Sequence, residues 1–184
     1  MLLKDMMVVF AVIFIAELGD KTQLGALTIA IKTRSIPKTV LYSMAGLILA
    51  TMISVTVGYL LLQIIPGMYI IVASGIIFII LGFASLLSKE GTEVTKETGA
   101  TLSIFLLELG DKTQLSIISF TVLLKDPLIV FLMATMAFLA VTLITATLGT
   151  KIAEKIPQEK IRCVSACLFI IIGVIILANI FIQS

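Results

Sequence analysis

Glu17-Leu-Gly-Asp-Lys-Thr-Gln-Leu24 recurs, residue for residue, as Glu108 to Leu115. Each copy offers two carboxylates, an ammonium, a hydroxyl and an amide. Together, Glu17, Asp20, Glu108 and Asp111 against Lys21 and Lys112 leave two uncompensated negative charges. One divalent cation would neutralise them. Carboxylate oxygens, with help from the amide carbonyls of Gln23 and Gln114, from hydroxyls and from backbone carbonyls, suit hard ions such as calcium, magnesium or manganese. Zinc and copper(I) fit less well, and the chain has no histidine, which removes both a common metal ligand and the usual proton carrier near neutrality. Proton chemistry therefore falls to carboxylates and lysines. When the ion leaves, protons can take its place on the same oxygens, and that competition is the physical basis of antiport.

The elements that hold these residues must be membrane helices. Hydrophobic residues make up 60% of the 184, charged residues 13%, and the mean hydropathy is +1.23, so too little polar surface remains for a water-soluble fold. A spanning helix needs about 20 mostly apolar residues. Charges and prolines divide the chain into six such stretches, roughly 6–31, 38–63, 67–88, 99–124, 127–150 and 160–182. The expected fold is all-α with six transmembrane helices. A cleaved signal peptide is not expected, because the first stretch carries Glu17, Asp20 and Lys21 at its centre and lacks a small-residue cleavage site.

Both motifs fall mid-helix, the first centred near Gly19 and the fourth near Asp111. An ionised side chain at that depth costs about 2.5–3.5 kcal/mol on insertion scales, so the acids need partners or protons. On a regular helix Glu17, Asp20, Lys21, Leu24 and Thr28 share one face, as do Glu108, Asp111, Lys112, Leu115 and Ser119. Thr22 would point about 140° away from Glu17. Thr22 and Thr113 therefore face another helix or require local unwinding. Gly19 and Gly110 would permit either close helix approach or unwinding that turns backbone carbonyls to the ion.

The 91-residue shift between the motifs also aligns Thr51 with Thr142, Thr56 with Thr147, Gly58 with Gly149, Pro66 with Pro157, Ser74 with Ser165 and Gly82 with Gly173. The repeat is thus a whole half-chain. Residues 1–88 form one half and 99–184 the other, joined by a polar linker, 89–98. Three helices per half is an odd number, so the second half must enter the membrane from the opposite side, giving inverted-topology repeats. Charge agrees: Leu60, Ile64, Tyr69 and Ile71 become Lys151, Lys155, Lys160 and Arg162 in the second half. Lys32, Arg34, Lys38, Lys89 and Lys96 mark the first and third connections, while the other side carries only Lys4 and Lys125. Positive charge favours the cytoplasm, which places the odd-numbered connections inside and both termini outside.

Plainer alternatives bear on parts of this pattern. Lys21 and Lys112 can simply pair with carboxylates of the opposing helix and fix register, although two lysines cannot neutralise four acids. Gln23 and Gln114 serve equally as interhelical hydrogen-bond glue. The glycines outside the motif read as packing positions and Pro66 and Pro157 as helix ends. Cys163 and Cys167, four apart on one helix face, read as packing residues. An intramembrane aspartyl protease would use Asp20 and Asp111 sharing a proton, but Glu-Leu-Gly-Asp stands where that class has Gly-x-Gly-Asp, and its Tyr-Asp and Pro-Ala-Leu signals are missing. A passive cation channel is the other alternative. Inverted repeats with a midplane site favour a carrier, and not an enzyme.

Glu17-Leu-Gly-Asp-Lys-Thr22 and Glu108-Leu-Gly-Asp-Lys-Thr113, in the first and fourth helices of a small six-helix chain, resemble the paired E-x-G-D-[KR]-[ST] motifs of the Gdt/transmembrane-protein-165 family. The resemblance spans essentially the whole chain. It implies a cation/proton antiporter that moves calcium or manganese out of the cytosol, with Glu17, Asp20, Glu108 and Asp111 as the motif acids and Lys21, Thr22, Lys112 and Thr113 as their companions. Eukaryotic members commonly carry an N-terminal targeting segment and a longer central loop, both missing here, so a prokaryotic plasma membrane is the expected home. The expected partners are the transported divalent cation, protons and membrane lipid. No resident cofactor and no nucleic acid is expected, and a homo-oligomer stays open.

Overall fold

The computed structural model describes residues 2–18, 20–87, 99–108, 111–152 and 158–183. The linker 89–98, Gly19, Gly110 and Pro157 lie outside the described residues. Among these residues the chain is all-helical. Helices α1 (Leu2–Glu17) and α2 (Lys21–Thr33) occupy the first apolar stretch, and α3 (Ile36–Ile64) and α4 (Gly67–Leu87) the second and third. Helices α5 (Ala100–Glu108) and α6 (Lys112–Leu124) share the fourth stretch, followed by α7 (Pro127–Ile152) and α8 (Gln158–Gln183).

The regular helix expected through each motif is therefore replaced by a break. Asp20 has φ −78° and ψ 168°, and Asp111 has φ −77° and ψ 167°. Both are extended residues in the N-cap position, where aspartate is among the preferred types. Neither side chain caps its own helix. A Gly-Asp step weakens helix continuation and favours a fresh start, so each motif ends one half-helix on a glutamate and opens the next on an aspartate.

Two sharp corners follow. Arg34 (φ 48°, ψ 31°) ends α2 and Lys125 (φ 55°, ψ 22°) ends α6. Both are left-handed, and both close with a backbone N–H to the carbonyl four residues earlier, Ala30 and Thr121. Pro37 then sits in the first turn of α3, and Asp126 Oδ1 accepts the Ile129 N–H at the start of α7, 3.1 Å away. The half-helices α2 and α6 have the same length, 13 residues, and the same 91-residue offset as the motifs.

Packing repeats this equivalence. The most extensive helix contact is α4 with α8, followed by α3 with α7, each pairing an element with its counterpart. A Cβ on Gly75 would fall 2.7 Å from Leu177 Cγ, and one on Gly82 2.8 Å from the Ala166 carbonyl oxygen. Position rises along α4 as it falls along α8, so the two are antiparallel. A Cβ on Gly46 would meet Thr101 O at 2.6 Å and one on Gly58 would meet Thr121 Cβ at 2.8 Å, so α3 runs in the direction of α5 and α6. Such backbone approach is how helices associate where no hydrophobic effect drives them. At the centre the counterparts Phe78 and Phe169 pack at a centroid distance of 5.9 Å, with Phe120 edge-on to Phe78 at 5.2 Å.

Polarity is arranged inside out. Leu41, Met52, Ile80, Phe83, Met136 and Ile171 are exposed, whereas Glu17, Asp20 and Glu108 are at most 2% exposed. An apolar exterior of this extent is unsuited to water and matches lipid. Ile36–Ile64 and Pro127–Thr147 are each long and apolar enough to cross a membrane, with mean hydropathy 2.1 and 2.5. Ile71–Ala84, Lys112–Leu124 and Ala166–Ala178 are shorter apolar helical stretches among the described residues.

Candidate cation site

The two breaks meet. Glu17 closes α1 and Glu108 closes α5, while the N-termini of α2 and α6 open beside them. The threonines then bond crosswise. Thr22 Oγ1 donates to Glu108 Oε2 at 2.9 Å, and Thr113 Oγ1 donates to Glu17 Oε1 at 2.7 Å. A continuous helix would have turned these hydroxyls away from their own glutamates. The break lets each serve the glutamate of the other half. The pair holds both carboxylates and the register of the two halves at once.

Oxygens of Glu17, Glu108 and Asp111 lie within 4.8 Å of one another. Two ligands on opposite sides of a calcium ion, at about 2.4 Å each, stand about 4.8 Å apart. The trio thus has the spread that one hard cation spans. Burial of three carboxylates this close demands positive charge between them, whether an ion or protons. The positive N-terminal ends of α2 and α6 face the acids, and the last carbonyls of α1 and α5 are the kind of backbone group that broken membrane helices turn to cations.

Asp20 is tied to the other half. Lys112 Nζ lies 3.0 Å from its Oδ1, an ion pair between the halves, and its Oδ2 is buried without a hydrogen bond among the described residues. Asp20 is not in the trio. Gln114 was expected to lend its carbonyl. Its Nε2 donates to Glu108 Oε1 at 3.2 Å and its carbonyl oxygen accepts from the Ser54 hydroxyl, so the amide links Glu108 to α3. Gln23, with Glu17, Ala26, Thr142 and Thr145, lines a narrow cavity of about 10 Å³. Gly19, Gly110 and the Lys21 side chain lie outside the described residues.

Leu115, which a continuous helix would place on the face of Glu108, is 38% exposed. The break reorients α6 relative to α5. Ser119 is buried as that face predicts. Ser54 and Thr145 were missed as site residues. Their signal lay in the repeat, since both are hydroxyl residues at the same 91-residue offset, and both are buried.

An all-helical fold, apolar outside and charged within, defines an integral membrane protein built around an acidic centre. The chain belongs to the GDT1 family: the family model described as "Divalent cation/proton antiporter GDT1" matches residues 5–93 and 98–183. That membership implies transport of the divalent cation/proton antiporter type. No curated protein and no solved structure matches the chain significantly.

Proposed function

We propose that this protein exports Ca2+ or Mn2+ from the cytosol in exchange for protons, by alternating access at the carboxylate cluster. The observation that carries the reading is the crosswise pair of threonine–glutamate hydrogen bonds, which gathers Glu17, Glu108 and Asp111 from both halves within 4.8 Å. Glu17, Glu108 and Asp111 form the core of the ion site and Asp20 joins through its second oxygen. Gln23 and the residues around it form the approach. Ion and protons alternate on these oxygens because bare carboxylates cannot remain so close in a buried place.

In this reading the halves 1–88 and 99–184 are inverted three-helix repeats, so the chain has six spans, with each broken helix counting as one. Equal half-helices, equivalent corners and antiparallel α4 and α8 support that arrangement. Both termini face outward, and the membrane is a prokaryotic plasma membrane. The Lys112 ion pair on Asp20 also disfavours a protease, which needs Asp20 and Asp111 side by side over one proton.

Purified protein in proteoliposomes with an internal pH dye tests the exchange. Ca2+ or Mn2+ uptake should be saturable and coupled to proton movement in the opposite direction, whereas Na+ should not substitute. Ion flux with no accompanying pH change removes the proton half of the reading. Currents that follow the electrochemical gradient without exchange make it a channel. Glu17→Gln, Asp20→Asn, Glu108→Gln and Asp111→Asn should each impair uptake while leaving the protein in the membrane, and full activity in all four refutes the site.

A further inference from the structure

The two halves match closely in backbone but differ beside the carboxylates. Around Glu108, Gln114 is bonded on both sides, to Glu108 Oε1 and to the Ser54 hydroxyl of α3. At the equivalent place around Glu17, a cavity opens between Gln23, Ala26, Thr142 and Thr145. The counterpart of Ser54 is Thr145, and its hydroxyl donates to the Val141 carbonyl of its own helix at 3.0 Å. Ile117, fully buried, occupies the position equivalent to Ala26. One hydroxyl is thus tied across helices to its glutamine, whereas its counterpart is bonded within its own helix beside a small cavity.

We infer that Ser54 and Thr145 are alternating latches. The Ser54–Gln114 contact seals the flank nearer Lys125, and the equivalent Thr145–Gln23 contact seals the flank nearer Arg34 and Lys151 when the protein turns over. This rests on the exchange reading for its purpose, but its geometry does not depend on which ion is carried. The hydroxyls suit such a task. A serine or threonine in a helix can swap a cross-helix partner for its own preceding carbonyl, so neither state leaves a buried hydroxyl unsatisfied. Ser54 shows the first bonding mode and Thr145 the second. Neither residue belongs to the doubled motif. Each acts on the cluster through a glutamine and is therefore a positioning residue.

Deleting the hydroxyl removes a bond in both states, but only the cross-helix bond also satisfies the glutamine carbonyl, so the latched state loses more and the ratio shifts by up to about fivefold. Mn2+ uptake is measured in inside-out and right-side-out membrane vesicles, which present opposite faces. Ser54→Ala should raise the half-saturating Mn2+ concentration at the face nearer Arg34 and Lys151 and lower it at the other, each by up to about fivefold. Thr145→Val should do the reverse. Ser54→Thr keeps a hydroxyl, as the other half does, and should behave as wild type. A structural role alone would move both faces in one direction for both variants, and that result overturns the latch, as does no shift at either face in variants that still exchange.

A second measurement does not need transport. With Cys163 and Cys167 replaced by serine, Ala26→Cys is labelled from the face nearer Arg34 by a membrane-impermeant thiol reagent. Ser54→Ala should slow that labelling about fivefold and Thr145→Val should speed it. Equal rates in both backgrounds refute the latch. If the labelling responds as stated but no exchange occurs, the latch stands and the exchange reading falls.

Discussion

Replacing Lys112 with methionine isolates the ion pair that ties α6 to α2. Its Nζ lies 3.0 Å from Asp20 Oδ1, and the side chains are 16% and 1% exposed respectively. Removing one member of a buried pair costs about 3–5 kcal/mol, because the other charge is left uncompensated. The partial exposure of Lys112 points to the lower figure, about 3 kcal/mol. Asp20→Asn removes the stranded charge, so the double variant Asp20→Asn with Lys112→Met should lose only about 1 kcal/mol. For a chain of this size about 3 kcal/mol lowers Tm by about 6–12 °C. Thermal unfolding of the four purified proteins in one detergent completes the double-mutant cycle. With about 1 kcal/mol lost in Asp20→Asn alone, the coupling should be about 3 kcal/mol. Additive losses, or a Lys112→Met variant as stable as wild type, would refute the claim that this contact carries stability between the halves. Mn2+ uptake by the double variant then separates stability from function, since it keeps the fold while removing one carboxylate from the site.

Further outcomes follow from other contacts. Thr22→Val and Thr113→Val each delete one crosswise bond to a carboxylate and should cost about 1.5–3 kcal/mol by thermal unfolding; the two should resemble each other, because the bonds are equivalent. Gly173→Ala would place a Cβ 2.6 Å from the Gly75 carbonyl oxygen, and overpacking of this kind costs about 1–3 kcal/mol. Gly99→Ala meets nothing within 4 Å and should leave Tm unchanged. If protons and the ion share the same oxygens, acid must weaken ion binding: apparent affinity for Mn2+ should fall about tenfold per unit drop in pH for each proton released, measured by equilibrium binding in detergent. A pH-independent affinity contradicts shared oxygens.

Much of the site was legible because charge inside an apolar stretch has few explanations. Glu17, Glu108 and Asp111 stand out by type alone, and the 91-residue offset marks the packing partners Phe78 and Phe169 as equivalent even though neither is polar. Thr22 and Thr113 raised the question of unwinding, since a straight helix cannot aim them at the acids. The structure answers with a break between Glu17 and Lys21, and another between Glu108 and Lys112. Hydropathy could not show either break, because apolar residues flank it on both sides and window averages run through it. The orientation of the Gln114 amide and the involvement of Ser54 depend on which helices become neighbours. A single-helix periodicity contains no record of neighbours, and so only the 91-residue offset sets Ser54 and Thr145 apart from other hydroxyl residues in a membrane span.

The crosswise threonines also bear on how such a chain can arise. Neither half supplies the hydroxyl on its own glutamate: Glu17 takes it from Thr113, and Glu108 from Thr22. A lone half would lack the hydroxyl that its glutamate accepts from and would hold half a cluster. Two identical halves could complete one another only as a pair set head to tail. Under the inverted arrangement proposed above, an ancestral single-repeat protein would need to insert both ways up and dimerise, and fusing the two copies would free each to fix its own loop charges. The same logic lets the joined chain be divided again, with two fragments made together recovering what neither has alone.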